Sequence, residues 1–82
     1  MIKAKIFVTL KEGILDPQGR AVQQSLQTLG FSSVDEVRIG KFLEVDVQET
    51  NRSAAEAQIK SMCEKLLANP VIENYRFELL DS

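Results

Sequence analysis

Residues 2–10 alternate without a break: Ile2, Ala4, Ile6, Val8 and Leu10 hold one parity, and Lys3, Lys5, Phe7 and Thr9 hold the other. Side chains of a strand point to opposite faces in turn, so this pattern specifies a half-buried strand with its even residues inward. One strand cannot satisfy its own backbone or cover its own apolar face. The remaining residues must supply partner strands and a covering layer.

The connector Lys11-Glu12-Gly13-Ile14-Leu15 leads to Asp16-Pro17, a helix start with Asp16 as N-cap and Pro17 at the first helical position. Ala21, Val22, Ser25, Leu26 and Leu29 follow at spacings of three and four and define a stripe facing the sheet. Gly30 closes the helix. After Phe31-Ser32-Ser33, Val37, Ile39, Leu43, Val45 and Val47 hold odd parity against Arg38, Phe42, Glu44 and Asp46. A tight hairpin at Gly40-Lys41 would set Val37 opposite Glu44, whereas a continuous strand keeps every odd residue inward. The expectation is one long strand from about Val34 to Val47, bent or bulged at Gly40, with a loose hairpin as the arrangement left open.

Ser53 and Glu56 have capping-box spacing at the head of a second helix, whose stripe is Ala55, Ile59, Met62, Cys63 and Leu66, and Asn69-Pro70 stops it. Val71, Tyr75, Phe77 and Leu79 alternate with Asn74, Arg76 and Glu78 in a last strand. The fold class is therefore α+β, a single domain over residues 1–82. Its order is β-α-β-α-β, a small sheet of about three strands with two helices packed on one face. Two sheet edges and one uncovered face remain, and Phe7 and Phe42 lie at outward parity, so a sheet face or edge is the expected self-association surface.

Composition removes several function classes. The chain has no histidine and one cysteine, Cys63, so a zinc site, a Cys/His pair or a Ser/His/Asp triad cannot be assembled within it. Catalytic, cofactor-binding and metal-binding residues are all expected to be none. The lone cysteine fits a reducing compartment and, on its apolar stripe, reads as a buried small hydrophobe. Ten Lys and Arg against twelve Asp and Glu, interspersed, argue against nucleic acid as a partner. No apolar run approaches the ~20 residues that span a bilayer, so no membrane partner and a cytoplasmic location are expected.

Three segments carry a family likeness: Lys11 to Gly19 (KEGILDPQG), Val37 to Lys41 (VRIGK) and Met62 to Tyr75 (MCEKLLANPVIENY). In this order, in a chain of this length, they resemble the blocks of the PurS family, small accessory subunits of phosphoribosylformylglycinamidine (FGAM) synthase. The resemblance implies a homodimer, with higher oligomers open, that joins a glutaminase subunit to a synthetase subunit in purine biosynthesis. It implies assembly and support of ammonia transfer, with ATP and Mg used in the synthetase partner and no cofactor on this chain.

The candidate partner-interface residues are Asp16, Pro17, Gly19, Arg38, Gly40, Lys41 and Tyr75. The plainer reading comes first for each: Asp16, Pro17 and Gly19 as a helix cap and close-packed turn, Arg38 and Lys41 as a solvated basic pair, and Tyr75 as core. Arg beside bendable backbone is nonetheless a common docking element. Glu64 and Glu73 read as surface charges. Two other function classes compete: a regulatory α+β domain binding a small molecule at a dimer interface, and a stand-alone enzyme using carboxylates, lysines or Tyr75, for which no motif arranges the groups.

Overall fold

The computed structural model describes residues 1–81. Elements follow in the order β1 (Ile2–Leu10), α1 (Pro17–Thr28), β2 (Gly40–Val47), α2 (Arg52–Met62), a π-helical turn (Cys63–Leu67) and β3 (Glu73–Asp81). The three strands form one antiparallel sheet in the order β2-β1-β3. The alternating first strand is therefore central, bonded on both sides.

Register carries the parity argument across the sheet. Ala4 lies between Val45 and Leu79, and Ile6 between Leu43 and Phe77, so the inward residues of all three strands share one face. α2 packs on that face over β1. Ile2, Ala4, Ile6 and Val8 meet Ala55, Ile59 and Cys63 in the core, closed at its margins by Val47, Ala68 and Leu79. Full burial of a side chain such as Ile6 or Ile59 contributes about 1.5–3 kcal/mol.

The opposite face is open. Its charges pair locally, Lys3 with Glu44 at 3.5 Å and Arg76 with Glu78 at 3.4 Å. The outward aromatics pack on each other, Phe7 and Phe42 with ring centroids 5.1 Å apart, and the Arg76 guanidinium lies 4.0 Å over the Phe7 ring.

Four expectations from the sequence are corrected. The middle strand does not begin near Val34: β2 starts at Gly40, because the Ile39 N–H is taken by the Asp16 carboxylate and the Val37 carbonyl lies against Gly19. Backbone groups turned towards α1 cannot also join a ladder. Gly40 is the first strand residue and pairs with Thr9, where a Cβ would fall on the Val8 carbonyl oxygen.

The second correction concerns α1, which does not share the sheet face with α2. Its only buried residue is Gly19, and Ala21, Val22, Ser25 and Leu29 are exposed, Leu29 at 73%. Three strands spaced about 4.8 Å apart make a face little wider than one helix of about 10 Å, and α2 occupies it. α1 and its flanking loops form an arm instead, and the molecule measures 49 × 27 × 14 Å. The arm helix is nonetheless well terminated. Gly30, at φ 104°, sits in a Schellman motif in which Phe31 N–H donates to Leu26 O and Gly30 N–H to Gln27 O.

Third, the N-cap of α2 is Asn51, whose side chain accepts from Ala54 N–H at 3.1 Å, and not Ser53. Fourth, the helix widens after Met62. Ala68 N–H bonds to Cys63 O across the i→i+5 turn, which holds more residues than an α-turn and so brings Leu67 towards the core and turns Leu66 to solvent at 83% exposure. Cys63 itself is fully buried. Burial, with the nearby Glu64 charge, pushes its thiol up from the ordinary 9.0.

Candidate partner interface

Antiparallel pairing brings one end of β1 beside the start of β2 and the start of β3: Thr9 faces Gly40 and Asn74, and Leu10 faces Glu73. Whatever precedes β2, follows β1 or precedes β3 must therefore gather at this pole of the sheet. Those stretches are residues 11–19, 37–41 and 66–73, which belong to the three segments singled out in the sequence.

Cross-links at the pole are short and mostly backbone. Asp16 caps α1 through Oδ1, which accepts from Gly19 N–H at 2.9 Å, while its Oδ2 accepts from Ile39 N–H at 2.9 Å. One carboxylate thus ties the head of the arm to the entry of β2. The Ile39 amide, then the Gly19 amide, hold the Asp16 carboxyl below its ordinary value of 3.8; desolvation opposes them and the Arg38 charge assists. Gly19 is required beneath this clip, since a Cβ there would fall on the Val37 carbonyl oxygen.

The third segment is fastened to the first two. Lys11 N–H donates to Ile72 O at 2.8 Å, and Lys41 Nζ donates to Leu67 O at 3.4 Å, where a cation suits the carbonyls at a helix end. Asn69 organises the turn: its Oδ1 accepts from Val71 N–H at 3.1 Å, and its carbonyl accepts from Ile72 N–H and Glu73 N–H. Its own N–H donates to Glu73 Oε1 at 2.6 Å.

Six of the seven candidate residues meet here. Asp16 and Arg38 line a hollow of about 390 Å³ with Lys11, Glu12, Arg20 and Glu36. Asp16, Pro17, Gly40 and Lys41 line a second of about 270 Å³, and Gly19 is buried between the arm and the β2 entry. Tyr75 stands apart on β3, its ring packed on the core beside Val8. Burial raises its phenol above the ordinary 10.0, assisted by the Glu64 and Cys63 charges and by a hydrogen bond to Glu64.

Apolar side chains that no sequence motif marks as functional also stand at the pole. Leu15 is 71% exposed, Val71 79%, and Leu66 stands out beside them in the chain segments described above. Leu66 and Val71 fall on apolar patterns that place them inward, Leu66 on the helix stripe and Val71 on the last strand. Among the described residues no three His, Cys, Asp or Glu side chains come together as a metal-binding group, and no helix is long and apolar enough to cross a membrane.

Comparison with known proteins matches this arrangement to one family. The family described as PurS: Phosphoribosylformylglycinamidine (FGAM) synthase matches residues 3–81. The phosphoribosylformylglycinamidine synthase subunit PurS of Bacillus subtilis is 49% identical over 79 residues, 96% of this chain and 93% of the relative. The crystal structure of B. subtilis PurS superposes with a TM-score of 0.87 at 48% identity, covering 99% of this chain and 100% of that one. A chain in the structure of PurLQS from Thermotoga maritima superposes with a TM-score of 0.85 at 28% identity, covering 98% and 99%. A three-stranded antiparallel sheet with its first strand central, one helix on its face and one on an arm, matched over nearly its whole length, places this chain in the PurS family of FGAM synthase subunits in purine biosynthesis.

Proposed function

We propose that the chain couples the glutaminase and synthetase subunits of FGAM synthase as a homodimer in the cytoplasm, contributing no reacting group of its own. The observation that carries this reading is the convergence of residues 11–19, 37–41 and 66–73 on one rigid pole. Backbone fastened on itself by Asp16, Lys11 and Asn69 offers a surface of fixed shape, and docking such a surface loses little entropy. The T. maritima relative supports it, since PurLQS contains a chain of this fold.

Chemistry explains why such a subunit is needed. Ammonia released near neutral pH becomes mostly ammonium, which is no nucleophile and is lost to solvent. A connector that seals two sites together keeps it neutral and captive, and can do so without reacting. ATP and Mg belong to the synthetase partner in this reading. The homodimer draws on apolar surface left uncovered in the single chain, which includes Phe42 on the open sheet face as well as Leu29 and Phe31 on the arm.

Purified glutaminase and synthetase subunits test the reading, each assayed with and without this chain. A glutamine-dependent rate that requires the chain, beside an ammonia-dependent rate that does not, is the expected result. Equal rates with and without it overturn the coupling role.

A further inference from the structure

Arg38 is held at its backbone rather than at its charge. The peptide unit before its Cα carries the Val37 carbonyl, which lies against Gly19 at a place where a Cβ would collide with the oxygen. The unit after its Cα carries the Ile39 N–H, which donates to Asp16 Oδ2 at 2.9 Å, while Oδ1 of the same carboxylate accepts from Gly19 N–H at 2.9 Å. Peptide units are planar, so only the two dihedrals of Arg38 lie between these planes, and holding both planes sets where its Cβ points. The guanidinium itself is left unpaired. Arg38 is half-buried, makes no salt bridge among the described residues, and its charge is the least of the influences on the Asp16 carboxyl. It lines the hollow of about 390 Å³ together with Lys11 and Arg20, which come from two other segments of the chain.

The same hollow is lined by Glu12, Asp16 and Glu36, so its charges balance and it carries no general positive field. An incoming anion is then recognised by where one guanidinium stands, not by attraction to the hollow at large. A guanidinium on a fixed backbone loses less freedom on docking, and its planar fork matches a carboxylate at two points. From this we propose that Asp16 and Gly19 are positioning residues for Arg38: they touch no partner themselves, but fix the entry of β2 so that the guanidinium meets a carboxylate on the assembled glutaminase and synthetase subunits. This deepens the coupling reading and rests on it. Asp16 suits the indirect role because both of its oxygens are already taken by backbone amides, and Gly19 because it is buried with no side chain to present.

The test is a double-mutant cycle of Asp16→Asn and Arg38→Ala in the full chain, read as affinity for the mixed glutaminase and synthetase subunits at two salt concentrations. Asp16→Asn separates the two bonds, since its one carbonyl oxygen still caps Gly19 and the Ile39 amide loses its carboxylate. Asp16→Ser, which also caps a helix but is too short to bridge to Ile39, repeats the cycle if Asp16→Asn does not fold. Arg38→Ala is expected to weaken binding about ten-fold or more. Asp16→Asn is expected to weaken it at least about three-fold, with faster exchange of the Ile39 amide, and the double variant to bind no worse than Arg38→Ala alone. The salt response should shrink in both single variants. Losses that multiply in the double variant, or an Asp16→Asn defect with the salt response of wild type, overturn the positioning role while leaving the coupling reading standing. Wild-type affinity in either single variant does the same. Failure of the wild type to bind the mixed subunits overturns the coupling reading and the positioning role together.

Discussion

The Asp16 carboxylate and the Ile39 amide, 23 residues apart in the chain, are joined by a hydrogen bond of 2.9 Å, and the same carboxylate caps α1 through Gly19. The arm and the entry of β2 therefore share one anion. Because the bonds to Ile39 and Gly19 lower the folded-state pKa, the contribution of Asp16 to stability is whole above the ordinary 3.8 and is lost as the pH falls through the lowered folded value. Urea midpoints taken from pH 6 downward should show this acid-side loss in the wild type, and a smaller one in Asp16→Asn, which has no carboxyl to protonate. An identical acid slope in both proteins would show that the clip does not form.

Gly19→Ala should destabilise the protein by about 1–3 kcal/mol, the usual cost of forcing an extra carbon into close-packed backbone. The added Cβ meets the Val37 carbonyl oxygen, so the arm must shift from the β2 entry. Chemical denaturation gives the number. A change below about 0.5 kcal/mol would mean that residues 37–39 do not rest on α1.

Ile59 and Leu66 are seven residues apart, on the α2 helix and its π-turn continuation, yet face opposite surroundings. Ile59→Ala should cost about 2–5 kcal/mol, as large-to-small changes in a core do. Leu66→Ala should stay within about 0.5 kcal/mol, as surface changes usually do. Equal costs would place Leu66 back on the apolar stripe and remove the π turn from the solution structure.

Cys63 should alkylate slowly in the folded protein at neutral pH, since it is fully buried and its thiol is raised above 9.0. Labelling in denaturant should be fast. Rapid labelling of the native chain would mean that the α2 layer opens readily from the sheet.

Arg38→Glu should leave the melting temperature almost unchanged, because Arg38 makes no salt bridge among the described residues and is the least of the influences on Asp16, while weakening association with the partner subunits. Pull-down at two salt concentrations separates charge from shape, as screening should weaken the wild type and spare less of the variant's deficit. Association equal to wild type at both concentrations removes Arg38 from the interface.

Much of this was legible in residue parity. The even residues of β1 and the odd residues of β2 face the core as their alternation requires, and Asp16-Pro17 and Gly30 bound α1 as their chemistry dictates. What stayed hidden depended on competition between distant groups. The head of β2 looks like strand until Asp16 takes the Ile39 amide. The stripe on α1 looks like core until α2 fills the apolar face of the sheet. The π turn leaves no mark on periodicity, so Leu66 read as buried. The pole itself was visible only as three separate segments, since their meeting follows from strand order, which alternation does not encode.

Strand order also governs how the sheet comes into being. β1 is made first and lies in the centre, yet β3, one of its two partners, is made last, and Ile2 pairs with Asp81. During synthesis β1 waits for β2, and its other edge stays unpaired until almost all of these residues have left the ribosome, with only non-local contacts to close the sheet. An apolar strand so long exposed invites pairing between nascent chains. Lys3 and Lys5, on its other face, place like charges on every copy and so act as gatekeepers through the interval before β2 and β3 arrive.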